Sequence, residues 1–207
     1  MEIKCLVLGL VRTNCYIVYT EDTKKAVIID PAADSRRITE EISALGVTPE
    51  AVLLTHGHFD HMLAADSLRN GYHIPVCVLK DDAELLTQPD MNCSEQFLRM
   101  SYGISADEEL EDGQRLAFLD GALTVIATPG HTAGSCCYYA EKENILFSGD
   151  TLFQGSVGRT DLPTGKASQI SLSIKEKLFV LPDDTLVLSG HGEQTTIGEE
   201  KQYNPYV

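Results

Sequence analysis

The chain has 207 residues, 43% of them hydrophobic and 23% charged, with a formal net charge of -15. This length fits one domain over 1–207 with room for a sizeable core. The acidic balance argues against nucleic acid or a membrane surface as a partner, since both are held by basic patches.

No stretch reads as a membrane span or a signal peptide, so a cytoplasmic protein is expected. Cys5, Cys15, Cys77, Cys93, Cys136 and Cys137 include no Cys-x-x-Cys pair. Reduced, mostly buried thiols are expected, with adjacent Cys136 and Cys137 on opposite faces of a strand.

Residues 2–8 and 15–20 are rich in apolar and β-branched residues and predict two strands, with Arg12-Thr13-Asn14 between them. A third strand covers 25–30 and ends at Asp30-Pro31. Ser35 is placed to cap a helix over 36–45, where Ile38, Ile42 and Leu45 recur at helical spacing and Gly46 marks the stop. The apolar run 51–54 predicts a buried strand. Thr55-His56-Gly57-His58-Phe59-Asp60-His61 follows it, and then a helix ending near Gly71. Residues 74–79 predict another strand, and His73 before it reads as structural. Residues 81–103 give no clear period. That segment is long enough for a lid or a substrate-facing element, but nothing in it marks a ligand.

The acidic stretch 104–112 predicts a surface loop. Residues 115–119 and 122–127 predict a hairpin around Asp120-Gly121. Residues 135–140 and 144–148 predict a second, turning through Glu141-Lys142-Glu143. Residues 151–166 form a glycine-rich loop, long enough to suggest a functional role. A helix over 167–180, a strand over 185–189 and a polar tail complete the chain.

His56-x-His58-x-Asp60-His61 packs three of the six histidines and one aspartate into six positions. Imidazole and carboxylate suit zinc and similar divalent metals. The run sits between a strand and a helix, where a rigid scaffold can present side chains. A polar turn with Asp60 as a helix cap is the plain alternative, and four ligand-type residues in six positions make it a poor one. Three more apolar strands end in a small or glycine turn and then a His or Asp. They are 123–130 before His131, 144–149 before Asp150, and 185–190 before His191. Four strand ends that each deliver a ligand suggest one site at one edge of a sheet. Together His56, His58, Asp60, His61, His131, Asp150 and His191 exceed what one tetrahedral zinc uses. Two metals sharing Asp150 is the simplest arrangement.

With these motifs the chain resembles the metallo-β-lactamase superfamily of hydrolases. The carrying residues are 55–61, Pro129-Gly130-His131-Thr132, Ser148-Gly149-Asp150-Thr151-Leu152-Phe153 and Ser189-Gly190-His191-Gly192. The resemblance implies an α/β (α+β) fold, a four-layer αββα sandwich with metals at one edge. It implies His56, His58 and His131 at the first metal, and Asp60, His61 and His191 at the second, with Asp150 bridging. Two divalent ions per chain are implied, zinc foremost, with iron or manganese as alternatives.

Within the superfamily the chain looks most like short, single-domain glyoxalase II proteins. The resemblance implies a small-molecule thioester substrate such as S-lactoylglutathione, cleaved by water that the metals activate, with Asp60 and Asp150 as the catalytic carboxylates. Arg159 matches a basic residue that contacts glutathione in the two-domain enzymes, and pairing of Arg159 with Asp161 is the alternative reading. A chain without the helical C-terminal extension of those enzymes is expected, and Gly192-Glu193 stands where they carry Glu-Tyr. β-Lactamases usually carry Cys or Ser where Asp150 stands, which argues against antibiotic hydrolysis. A mononuclear iron persulfide dioxygenase using His56, His131 and Asp150, and a lactonase, are the other readings. The oligomeric state is not legible.

Overall fold

The computed structural model describes residues 1–121 and 123–207. Strands β1 (Glu2–Leu8), β2 (Thr13–Tyr19) and β3 (Lys25–Ile29) run antiparallel in turn. Helix α1 (Ser35–Leu45) carries the chain back, so β4 (Thr48–Leu53) lies parallel to β3. Short helices α2 (Phe59–Met62) and α3 (Ala65–Tyr72) lead to β5 (Val76–Leu79), and α4 (Ser94–Leu98) precedes β6 (Glu108–Leu110). These strands form a six-stranded sheet in the order β1 to β6.

The second half begins with β7 (Thr124–Ala127), β8 (Cys136–Ala140) and β9 (Ile145–Gly149), antiparallel in turn. A small ribbon of β10 (Leu152–Phe153) and β11 (Ser156–Val157) follows, and then helix α5 (Ala167–Ser173). Strand β12 (Leu186–Ser189) joins parallel to β9, and β13 (Thr195–Thr196) leads into α6 (Ile197–Tyr203). The order of this five-stranded sheet is β13-β12-β9-β8-β7.

Side chains alternate across each strand, and the alternation divides the apolar core into three. Ile28 of β3 packs with Ile38 and Ile42 of α1 and Leu68 of α3. Its neighbours Val27 and Ile29 face the second sheet and meet Val125, Tyr138 and Phe147. On β8, Cys136 lies between the sheets, while Cys137 joins Ile170, Ile174 and Ile197 in the outer core. The layers are therefore helix, sheet, sheet, helix, which is the expected αββα sandwich. The six thiols are free and all but Cys5 are buried, as expected. Among the described residues no helix is long and apolar enough to cross a membrane.

The structure corrects several sequence expectations. Thr13 and Asn14 belong to β2 rather than to the turn, because the other sheet's end captures them: Asn14 Nδ2 donates to Ser189 O at 3.0 Å and Gly192 O at 3.1 Å. Asp34, not Ser35, caps α1, accepting from Arg37 N at 3.2 Å. The acidic stretch 104–112 contains β6, because Leu110 buries between the sheets and completes the edge of β5. The hairpin around Asp120-Gly121 does not form as a regular ribbon. Arg115 makes one isolated bridge to Thr124, and Leu119 and Asp120 turn through the left-handed region. Residue 122, the expected start of its second strand, lies outside the described residues, and β7 begins at Thr124. The polar tail holds β13 and α6. There buried Glu200 accepts from Thr195 Oγ1, Gly155 N and Asn204 Nδ2, so polar composition conceals a satisfied interior.

Tyr138 and Phe147 test the inter-sheet core. Phe147→Ala should cost about 3–5 kcal/mol, whereas Tyr138→Phe, which removes the bond from its hydroxyl to Leu54 O, should cost about 1–2 kcal/mol. Urea unfolding of the metal-free protein checks both values, and equal losses would contradict this division between packing and clamp.

Candidate metal centre

Strand direction brings the site residues to one edge. Strand β8 is antiparallel to both β7 and β9, and β12 is parallel to β9. The C-terminal ends of β7, β9 and β12 therefore lie together, and they release the chain to His131, Asp150 and His191. The end of β4 is tied to the same edge. Cys136 N donates to Thr55 O at 2.8 Å, and Tyr138 Oη donates to Leu54 O at 2.7 Å. The chain bends at Thr55 and His56, His58 is extended, and α2 then carries Asp60 and His61. That change of backbone allows four side chains of one short run to turn toward one point.

Two glycines serve this convergence for different reasons. Gly149 has φ +50°, which L side chains rarely adopt, and its turn seats against Thr55. Gly190 does not need a positive φ. A Cβ there would stand 2.3 Å from Asp150 Oδ1 and 2.8 Å from His61 Cε1, so the backbone itself forms one wall of the site.

All seven sequence-selected residues meet. His56, His58 and His131 form one group whose candidate donor atoms lie within 4.8 Å of one another, and Asp60, His61 and His191 form another. Asp150 stands between them, with its carboxylate 3.4 Å from His61 Nε2, 3.6 Å from His131 Nε2 and 3.5 Å from His191 Nε2. His58 Nδ1 faces His131 Nε2 at 2.9 Å. Among the described residues, His56 Nε2, His61 Nε2 and Asp150 Oδ1 are buried without a hydrogen-bond partner. Buried polar atoms are rarely left in this state, and the donor set fits divalent cations.

The electrostatics agree with that fit. Burial, reinforced by neighbouring histidines, pushes His56 well below its ordinary pKa, and burial with His131 takes His58 down to about 3. Both therefore offer neutral lone pairs at neutral pH. Burial opposes ionisation of Asp150 and Asp60, but the adjacent histidines outweigh it and both carboxyls titrate below the usual range. Burial would also lower His61, yet Asp60, Asp30 and Asp150 surround it and raise it well above its ordinary value. The cluster thus holds anionic carboxylates that attract any positive charge, and buried charges of this kind need a partner or a metal.

Sequence reasoning missed the residues that hold this set in place. Asp30 accepts from Thr55 N at 2.8 Å and Thr55 Oγ1 at 2.7 Å, and it meets His61 Nδ1 at 2.9 Å. That contact leaves His61 Nε2 facing the centre, the usual way a carboxylate orients a ligating histidine. Asp30 follows β3 just as Asp150 follows β9, and this parallel was the available signal. Thr13 Oγ1 donates to Asp60 Oδ2 at 3.0 Å. Asp82, from the segment that sequence could not place, accepts from Gly57 N, Gly134 N and Thr132 Oγ1 and so ties the two histidine loops together.

Arg159 acts in a way that side-chain chemistry could not show. Its carbonyl accepts from His131 Nδ1 at 2.7 Å, while its guanidinium forks onto Asp161 at 2.7 and 2.8 Å. His73 lies apart from the cluster, closing α3 in a left-handed turn, in keeping with its structural reading. A cleft of about 160 Å³ opens over His58, His131, Asp150 and His191 and includes Arg159 in its wall.

A family model described as "Metallo-beta-lactamase superfamily" matches residues 8–191. The chain is similar to hydroxyacylglutathione hydrolase GloC of Haemophilus influenzae, at 32% identity over 100% of this chain and 98% of GloC. Among solved structures it is similar to the B3 metallo-beta-lactamase BLEG-1, with TM-score 0.94 and 40% identity over 99% of both chains. It is also similar to TTHA1623 in a di-iron-bound form, with TM-score 0.88 and 33% identity over 99% of this chain and 100% of that one.

Asp30→Asn keeps the shape of its side chain and removes the anion behind His61. Zinc affinity, measured by competition with a chelator, should fall about 10–100-fold. An unchanged affinity would show that Asp30 only braces the loop.

Proposed function

Since the chain belongs to the metallo-beta-lactamase superfamily as a metallo-hydrolase, we propose that it cleaves a thioester, such as S-lactoylglutathione or a related acyl-thiol, at a two-metal centre. The observation that carries the proposal is the pair of ligand groups with Asp150 between them. His56, His58 and His131 would hold one divalent ion and Asp60, His61 and His191 the other, with Asp150 within reach of both groups. Bound ions would lower the pKa of a water toward neutrality and polarise the substrate carbonyl. Zinc, iron and manganese all suit these donors, and the di-iron form of TTHA1623 keeps iron among the candidates.

The chain's own residues supply orientation and charge. The carbonyl of Arg159 and the carboxylate of Asp30 fix which ring nitrogen of His131 and His61 faces the centre. Thr13 holds one oxygen of Asp60. Asp60 and Asp150, both held ionised by the neighbouring histidines, would balance the charge of bound ions. Arg159 stands at the mouth of the cleft, where its guanidinium can meet the carrier of the substrate if it releases Asp161. The similarity to GloC supports a thioester rather than a lactone. An oxidation that needs one iron would leave the second ligand group unused, so metal count and oxygen uptake separate it from hydrolysis. The free thiols suit the cytoplasm.

His56→Ala tests the assignment. The variant should lose at least one metal equivalent per chain, and S-lactoylglutathione hydrolysis should fall by at least about 100-fold. Unchanged activity in the purified variant would refute it. Cleavage of a β-lactam but of no thioester by the parent protein would keep the metal chemistry and replace the substrate.

A further inference from the structure

Beyond the metal ligands, the cleft is walled by Val11, Phe59, Cys93, Phe97 and Leu162, with Arg159 as the one basic group. These residues come from separated elements: the β1–β2 turn, the start of α2, the segment 81–103 that includes α4, and the loop after β11. Phe59 and Phe97 stack, with ring centroids 5.8 Å apart and planes 20° from parallel. Phe59 is buried, but Phe97 is 47% exposed and Val11 is 47% exposed. Leu10, beside Val11, is 87% exposed. Apolar side chains left open around a site mark a surface that a ligand covers.

The chemistry missing from the wall is equally informative. Among the described residues, no Ser, Thr, Asn, Gln or Tyr side chain lines the cleft. Outside the metal ligands, Arg159 and the weakly polar Cys93 thiol, which donates to Met91 O, are the side chains in the wall that could read a hydroxyl on the acyl group. Arg159 is already forked onto Asp161. A site discriminates strongly for a substrate hydroxyl only when it offers a dedicated partner. The cleft measures about 160 Å³ and opens to solvent, with the metal-ligating residues at its floor and the apolar side chains on its walls.

We infer that the substrate carries an unsubstituted apolar acyl group, seated against Val11, Phe59, Phe97 and Leu162, in preference to a 2-hydroxyacyl group such as lactoyl. Val11 and Phe97 determine this specificity. They touch the acyl chain and take no part in bond cleavage. The inference rests on the thioester reading, which the experiment separates from it.

Two series are measured on the metal-loaded protein. In the first, kcat/KM is compared for acetyl, butyryl, hexanoyl and lactoyl thioesters of glutathione. In the second, acetate, butyrate and hexanoate are titrated into the same protein by calorimetry. Each added methylene should raise both kcat/KM and affinity by roughly two- to fourfold, and butyryl should exceed lactoyl. Phe97→Ala should lower the hexanoyl-to-acetyl ratio about tenfold. Val11→Ser, on an exposed turn, should lower the same ratio and guards against a folding defect in the first variant. Thioester cleavage with lactoyl preferred to butyryl would overturn the acyl inference and leave the thioester reading intact. If no thioester is cleaved, that reading fails. Carboxylate affinity then decides the wall by itself: a rise with chain length supports it and a flat series overturns it.

Discussion

Ionised carboxylates buried beside histidine lone pairs are the constraint on which this structure depends. Asp60 and Asp150 are held in the charged form by their surroundings, and His56 and His58 in the neutral form. Such a set is costly to gather in a protein interior unless cations complete it. The fold meets the geometric part of that demand through two rigid sheets. Their strand ends are joined by direct bonds, from Cys136 N to Thr55 O and from Asn14 N to Gly190 O at 2.7 Å. Each sheet therefore positions the ligands of the other, and a shift of one against the other would separate the two ligand groups.

The surrounding shell explains how neutral imidazoles are aimed. Asp30 takes His61 Nδ1 and the Arg159 carbonyl takes His131 Nδ1, which leaves the opposite nitrogens for the centre. Asp82 binds the loop of His56 and His58 to the loop of His131 through three donors. Orientation thus comes from main-chain atoms and acidic residues, while the apolar cleft above adds little polar chemistry of its own. The strand ends supply the candidate metal ligands, while the β1–β2 turn and the segment around α4 supply the apolar wall of the cleft.

Strands β1 to β5, β7 to β9 and β12, helices α1 and α3, and the seven residues of the cluster were legible because each has a local pattern. Ile38 and Ile42 repeat with a helical period, and His131, Asp150 and His191 each follow an apolar run and a small turn. What escaped was fixed by contacts distant in sequence. Thr13 and Asn14 look like turn residues until the end of β12 draws them into β2. Asp30 looks like the end of a strand until His61 packs on it, and Asp82 lies in a stretch without periodicity. The role of the Arg159 carbonyl has no side-chain signature at all. Helix α6 was hidden because Glu200, an exposed-type residue by composition, is satisfied by three donors inside the fold.

Metal stoichiometry tests the central claim most directly. Protein purified without added metal, then loaded with zinc and freed of excess, would be assayed for metal per chain by mass spectrometry, with an Asp150→Ala variant treated alongside. Two ions sharing one carboxylate predict about two equivalents in the parent and weakened retention of both ions in the variant. Saturation at one equivalent, or loss of a single ion with the other held at full affinity, would contradict a centre built around Asp150.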